Sequence, residues 1–218
     1  MVPDDVPARI EHTVLGPETT PSDVIAVLDD AIEYGMAACV PPCYVSQASA
    51  YAPGVRLATV IGFPHGQHTS SIKAAEAEQA SADGADELDV VCNVGRLRAG
   101  EDEAVREDVA EVVAATSLPV KVIVEAPLLT DGELDRVGQL VAEADADFLK
   151  TATGFSDGGA TVADVERLSR YLPVKASGGI GSWERALAMF EAGAERIGAS
   201  SGDTIVEEYR RSDGNSTR

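Results

Sequence analysis

The chain has 218 residues, 44% of them hydrophobic, which suits one sizeable domain with a closed core. Thirty-seven acidic against seventeen basic side chains give a net charge of −20, which argues against nucleic acid or an anionic membrane as partner, since both are bound through basic surface. No run of about 20 apolar residues and no leader pattern is present, so the sequence reads as a soluble, reduced, cytoplasmic protein.

Short apolar runs alternate with amphipathic stretches from end to end. A strand is expected over Ile10–Leu15. Thr20-Pro21-Ser22-Asp23 then supplies an N-cap hydroxyl, a proline for the first helical position and an acid for the first turn. Val24, Val27, Leu28 and Ala31 follow on one helical face, and Gly35 closes the helix. Strands Ala37–Val40 and Arg56–Ile61 precede a helix over Ser70–Ala82, and strand Glu87–Cys92 precedes a helix over Glu101–Ala115. Next come strand Val120–Glu125, helix Asp131–Glu143, strand Phe148–Thr151 and helix Thr161–Leu172. Strand Val174–Ser177, helix Ser182–Ala192 and strand Arg196–Ala199 complete the pattern. Residues 1–209 form one domain, and the polar residues 210–218 are expected to fray. Eight strands alternating with helices in one small domain predict a single (β/α)8 TIM barrel rather than an open doubly wound sheet.

Only four lysines accompany thirteen arginines. Lysine scarcity on a uniformly acidic chain suits a protein that stays soluble in concentrated salt, where charge repulsion is screened. Three of the four nevertheless stand in apolar, strand-like runs: Lys121, Lys150 and Lys175. Lys150 and Lys175 lie on consecutive strands, each a few residues before a glycine turn, toward the barrel end where catalytic groups gather. Two ammonium groups facing one cavity disfavour each other's protonation, and burial adds to this, which would leave an amine free for imine chemistry. The alternative places both at the opposite strand end with their heads in solvent. Lys121 opens its strand after Pro119 and reads as structural, far from the site; Lys73 reads as part of a solvated helix face. Asp89, an acid in an apolar strand, needs a cationic or hydrogen-bonding partner. It would either move protons during imine formation or form a structural ion pair.

Glycine-rich turns follow the last strands: Thr153-Gly154, Gly178-Gly179 and Gly198-Ala-Ser200-Ser201. Turns after strands seven and eight are where barrels bind phosphate through backbone N–H groups. His65 and His68 lie on a Pro/Gly loop without a third ligand, and Cys39, Cys43 and Cys92 make no zinc pattern, so no metal is expected. His12 either borders the cavity or packs beside it.

With these segments the chain resembles the deoxyribose-phosphate aldolase family of class I aldolases. The resemblance runs over about residues 9–209 and rests on Glu-His-Thr-Val-Leu (11–15), Cys-Val-Pro-Pro-Cys-Tyr-Val (39–45), Thr-Val-Ile-Gly-Phe-Pro-His-Gly (59–66) and Gly-Ala-Asp-Glu-Leu-Asp-Val-Val (84–91). It rests above all on Phe-Leu-Lys-Thr-Ala-Thr-Gly-Phe (148–155), Val-Lys-Ala-Ser-Gly-Gly-Ile (174–180) and Arg-Ile-Gly-Ala-Ser-Ser-Gly (196–202). It implies that Lys150 forms the Schiff base, that Lys175 lowers its pKa and assists proton transfer, and that Asp89 donates and accepts protons. The implied reaction is reversible cleavage of 2-deoxy-D-ribose 5-phosphate to D-glyceraldehyde 3-phosphate and acetaldehyde, without metal or organic cofactor, by a homo-oligomer. Cys39 stands where related enzymes often place a cysteine near the site. Gly16 and Gly181 stand where relatives often have lysine and arginine, and Asp157 adds a negative charge nearby. Phosphate recognition is therefore expected to rest on backbone amides and helix dipoles more than on side-chain charge.

Overall fold

The structure, a computed structural model, describes residues 5–216. The first half runs β1 (Ile10–Thr13), α1 (Pro21–Tyr34), β2 (Ala37–Val40), α2 (Val45–Tyr51), β3 (Leu57–Ile61), α3 (Ser70–Ala82) and β4 (Glu87–Val91). Then come α4 (Val94–Arg98), α5 (Asp102–Ala114), β5 (Val120–Ile123), α6 (Asp131–Glu143) and β6 (Phe148–Lys150). The chain ends with α7 (Val162–Leu168), β7 (Val174–Ser177), α8 (Trp183–Glu191), β8 (Ala194–Ala199) and α9 (Gly202–Ser216). The eight strands are parallel and close on themselves in sequence order, β8 pairing with β1. This is the (β/α)8 barrel the alternation predicts.

The helices start where the chain supplies caps. Thr20 and Asp23 form a capping box on α1, Thr130 and Glu133 on α6, and Thr161 and Ser182 cap α7 and α8 through their hydroxyls. Gly35 ends α1 in the left-handed conformation at φ 79°. Two short helices, α2 and α4, and the whole of α9 lie outside the expected set. Helix α7 stops at Leu168, short of the expected Leu172, because the chain turns through Ser169–Tyr171 before β7. Helix α9 continues past Tyr209 through the polar residues 210–216, where fraying is expected. Among the described residues no helix is long and apolar enough to cross a membrane.

Strand alternation divides each strand between two environments. Leu88 and Val90 of β4, Val120 and Val122 of β5, Leu149 of β6 and Val174 and Ala176 of β7 pack outward into the main core beneath the helices. The alternate residues face the barrel axis. There Cys39, Ala58 and Val60 of β2 and β3 form a small apolar cluster against Leu15 and Phe63. Around the rest of the axis a band of inward positions is charged (Glu11, Glu87, Asp89, Lys121, Lys150, Lys175 and Arg196), a departure from the branched aliphatic layers that fill most such barrels. The register fixes their order: Asp89 lies beside Lys121, Lys150 beside Lys175, and Lys175 beside Arg196.

Candidate active site

Asp89 is the hub of the axial charges. Its Oδ2 accepts hydrogen bonds from Lys150 Nζ and Lys175 Nζ, each at 2.8 Å, and its Oδ1 accepts from Lys121 Nζ at 2.9 Å. Lys175 Nζ also pairs with Glu11 Oε2. Lys121 Nζ lies 2.6 Å from Glu87 Oε2 and 3.6 Å from Glu11 Oε1. Glu87 is met from below by Arg196 and Arg56, both at 3.4 Å, and the Arg196 guanidinium lies 5.5 Å from the Phe148 ring centroid. The three sequence-derived residues Lys150, Lys175 and Asp89 are thus brought into direct contact.

Two of the sequence expectations are corrected here. Lys121 is not remote from the site. Because β5 pairs with β4 so that Lys121 lies next to Asp89, its fully buried ammonium joins the network. Lys73 is not a solvated residue either. It is fully buried, its Nζ bonded to Asp108 Oδ2 at 2.6 Å and to Val91 O at 2.8 Å. Glu11, Glu87 and Arg196 belong to the network without having been singled out from sequence. Glu87 and Asp89 are two apart on one strand and so share a face, and Glu11 is an acid within an apolar strand; both signals were present.

The electrostatics correct the expected repulsion between the paired lysines. Burial pushes the Lys175 ammonium toward neutrality, but the facing Asp89 and Glu11 carboxylates outweigh it and raise its pKa above the ordinary lysine value. Burial opposes charge on Lys121 as well, and Asp89 and Glu11 again prevail and raise it. Asp89 is penalised by burial, yet Lys121, Lys150 and Lys175 together hold it well below the usual carboxylate range. Glu11 is lowered in the same way, burial being outweighed by Lys121 and Lys175. Lys175 and Lys121 are therefore fixed cations, each held by more than one carboxylate. Lys150 holds a single carboxylate oxygen and shares it.

Lys150 also differs in access. It lines a cavity of about 570 Å3 at the carboxyl ends of β1, β6, β7 and β8, whereas Lys175 and Lys121 are sealed beneath it. Every residue anticipated for phosphate lies on that cavity: Thr153, Gly154, Gly178, Gly179, Gly198, Ser200 and Ser201. Lys150 is the one charged residue among the described residues of the lining. Gly198 is required sterically, because a Cβ there would come within 2.7 Å of Lys175 Cε. The Thr153 N–H is already engaged, donating to Glu125. His12 turns away from the axis: its Nδ1 accepts from Gly202 N–H at 3.1 Å, anchoring the start of α9, and its Nε2 lies 3.3 Å from Asp30. Cys39 is fully buried beside the network, and burial pushes its thiol up to about 11.

An axial lysine at a cavity mouth, hydrogen-bonded to a carboxylate that a second ammonium keeps ionised, is an arrangement suited to carbonyl addition and proton transfer. Comparisons with known proteins place the chain among aldolases. A deoxyribose-phosphate aldolase from the halophilic archaeon Haloarcula marismortui is 68% identical over 207 residues, covering 95% of this chain and 89% of the relative. A solved aldolase superposes with a TM-score of 0.93 at 38% identity, covering 97% of this chain and 99% of its own. The tetrameric deoxyribose phosphate aldolase from Aeropyrum pernix superposes with a TM-score of 0.87, also at 38% identity, covering 94% and 91%. Residues 9–207 match the model of the DeoC/LacD family aldolases, and the chain belongs to that family.

Proposed function

We propose that this aldolase reversibly cleaves 2-deoxy-D-ribose 5-phosphate to D-glyceraldehyde 3-phosphate and acetaldehyde through a Schiff base on Lys150. The observation that carries the reading is the contrast among the axial lysines: Lys150 alone meets the cavity, and its one carboxylate partner is shared. Around it the cations Lys121 and Lys175 face Asp89, Glu11 and Glu87. The amine adds to the substrate aldehyde carbon. Asp89, 2.8 Å away, relays protons as the carbinolamine loses water to give the iminium. Removal of the proton from the C3 hydroxyl breaks the C2–C3 bond, releasing glyceraldehyde 3-phosphate and leaving an enamine. Protonation of that enamine carbon and hydrolysis of the imine release acetaldehyde and restore Lys150. Lys175, held cationic, keeps Asp89 ionised and supports the proton transfers.

The phosphate is bound by the turns after β7 and β8, through the backbone amides of Gly178–Gly181 and Gly198–Ser201 and the N-terminal end of α9. The absence of a second cation in the described lining supports this, as does Gly at 16 and 181. In this reading the enzyme works in the cytoplasm as a homo-oligomer, on a small phosphorylated sugar and without a cofactor. Its acidic surface keeps it soluble in concentrated salt.

Borohydride reduction in the presence of acetaldehyde, followed by mass mapping, tests the assignment. A reduced ethyl adduct on Lys150 is expected; an adduct elsewhere, or none, sinks it. An acetaldehyde product assay separates this reaction from that of a Schiff-base barrel acting on longer sugars. Comparing kcat/KM for phosphorylated and free deoxyribose across salt tests the phosphate contacts. A strong preference at low salt that vanishes at high salt would show side-chain charge, not backbone amides, to be in control.

A further inference from the structure

Glu125 lies just past β5, at the carboxyl end of the barrel, and its backbone is left-handed with φ 55° and ψ 55°. A residue with a Cβ is crowded against its own backbone there, so the surroundings must hold it in place. The neighbouring backbone is tied to the chain leaving β6: Val124 N–H donates to Lys150 O at 3.0 Å and Ala126 N–H to Thr151 O at 2.7 Å. The Glu125 side chain, 4% exposed, is turned toward the loop that follows Lys150. Both carboxylate oxygens accept from Thr153 N–H at 3.3 Å, and Oε1 accepts from the Ser156 hydroxyl at 2.8 Å. None of these donors is charged. A buried carboxylate satisfied by neutral donors is costly to keep, and an apolar residue would be cheaper to bury.

What the carboxylate holds is a partition. Thr153 Oγ1 accepts from Phe155 N–H at 3.1 Å, and the Phe155 ring meets Phe63 edge to face at 5.2 Å between centroids. Thr153, Gly154 and Phe155 form one wall of the Lys150 cavity. On the other side, Thr153, Phe155 and Ser156, with Glu125 itself, line a second cavity of about 440 Å3.

We propose that Glu125 is a positioning residue for substrate binding: it suspends the Thr153–Phe155 partition so that the Lys150 cavity keeps the width its phosphorylated substrate requires. The inference rests on the reading of Lys150 as the Schiff-base lysine with deoxyribose 5-phosphate as substrate. Glu125 touches no reacting atom. By occupying the Thr153 amide, it directs the phosphate to the amides after β7 and β8.

The test separates binding from chemistry. In Glu125→Ala, KM for deoxyribose 5-phosphate should rise about tenfold while kcat changes less than about threefold, as loss of ground-state positioning requires. Reductive trapping of acetaldehyde on Lys150, which needs no phosphate wall, should stay within about twofold of the parent. Glu125→Gln keeps one acceptor oxygen and should recover part of the affinity. Ser156→Ala removes one donor and should raise KM about threefold. An unchanged KM in folded Glu125→Ala overturns the proposal. So does a loss of trapping that matches the loss of kcat, because Glu125 would then act on Lys150 itself. Should Glu125→Ala not fold, Ser156→Ala decides: a raised KM sustains the proposal and an unchanged one overturns it. Failure of the parent to trap acetaldehyde at Lys150 is a separate result, and strikes the Schiff-base reading instead.

Discussion

Lys73 and Lys150 are both lysines of no more than 3% exposure, each with a carboxylate oxygen within 2.8 Å. Lys73 joins α3 to α5 and to the end of β4, with Asp108 and a backbone carbonyl to itself, and it borders none of the cavities described. Lys150 shares its carboxylate oxygen with Lys175 and opens on a cavity. The first site is a closed pair that ties helices together. The second is a network in which one amine is left with the weakest hold on its counterion. Burial therefore does not distinguish the two lysines; shared counterions and access do.

The sharpest way to break that comparison is to exchange the two functions. Lys150→Arg keeps the positive charge but cannot form an imine, so kcat/KM should fall by at least about a thousandfold with the melting temperature little changed. A residual rate within tenfold of the parent would end the distinction. Lys73→Met should do the reverse. Leaving Asp108 buried without its cation costs about 3–5 kcal/mol, or roughly 10 °C in melting temperature. The folded enzyme should keep kcat within about twofold, since Lys73 borders neither cavity described. Adding Asp108→Leu should restore most of the stability, because an apolar pair can replace a buried ion pair.

Acid unfolding gives a smaller effect. Asp89 and Glu11 have folded-state pKa values below their unfolded ones. Their contribution is thus complete above the unfolded carboxylate range, about pH 4, and is lost as pH falls through the lower folded values. Urea unfolding at stepped pH should show stability falling below about pH 4, with a shallower slope in Asp89→Asn. An unaltered slope would place the acid-sensitive groups outside the barrel axis. Thiol reactivity should show the least change. Cys43 is exposed, whereas burial pushes Cys39 up to about 11 and Cys92 up to about 12. One thiol per chain should react quickly at pH 8 in the native protein, and the other two only on unfolding.

Much of this was legible before the fold was known, because strands and capped helices are written in local patterns. All eight strands fall where alternation places them, and α1, α3 and α6 end within a residue of their sequence bounds. The charge network was only half legible. Lys150 and Lys175 announce themselves as lysines in apolar strands, but the Glu11–Lys175 pair spans 164 positions of sequence and depends on barrel closure. Lys121 was misplaced because its position at the start of a strand says nothing of its lateral register with Asp89. Lys73 was misread although its helix held the signal: Lys73, Ala77 and Ala80 share the buried face of α3, at the spacing of a helical stripe. Helices α2 and α4 escaped notice because seven and five residues are too few to establish a period.

Every lysine in the chain is buried. The outer surface accordingly offers no ε-amine, its positive charges being guanidinium groups that acylating and aldehyde reagents modify poorly under mild conditions. Apart from the α-amino group, the folded protein presents such reagents with one reachable amine, in the cavity that Lys150 lines. Amine-coupled supports and lysine-directed cross-linkers would find little purchase on its exterior. A small amine-reactive dye would instead act as a titrant of intact active sites, its incorporation falling as substrate fills the cavity.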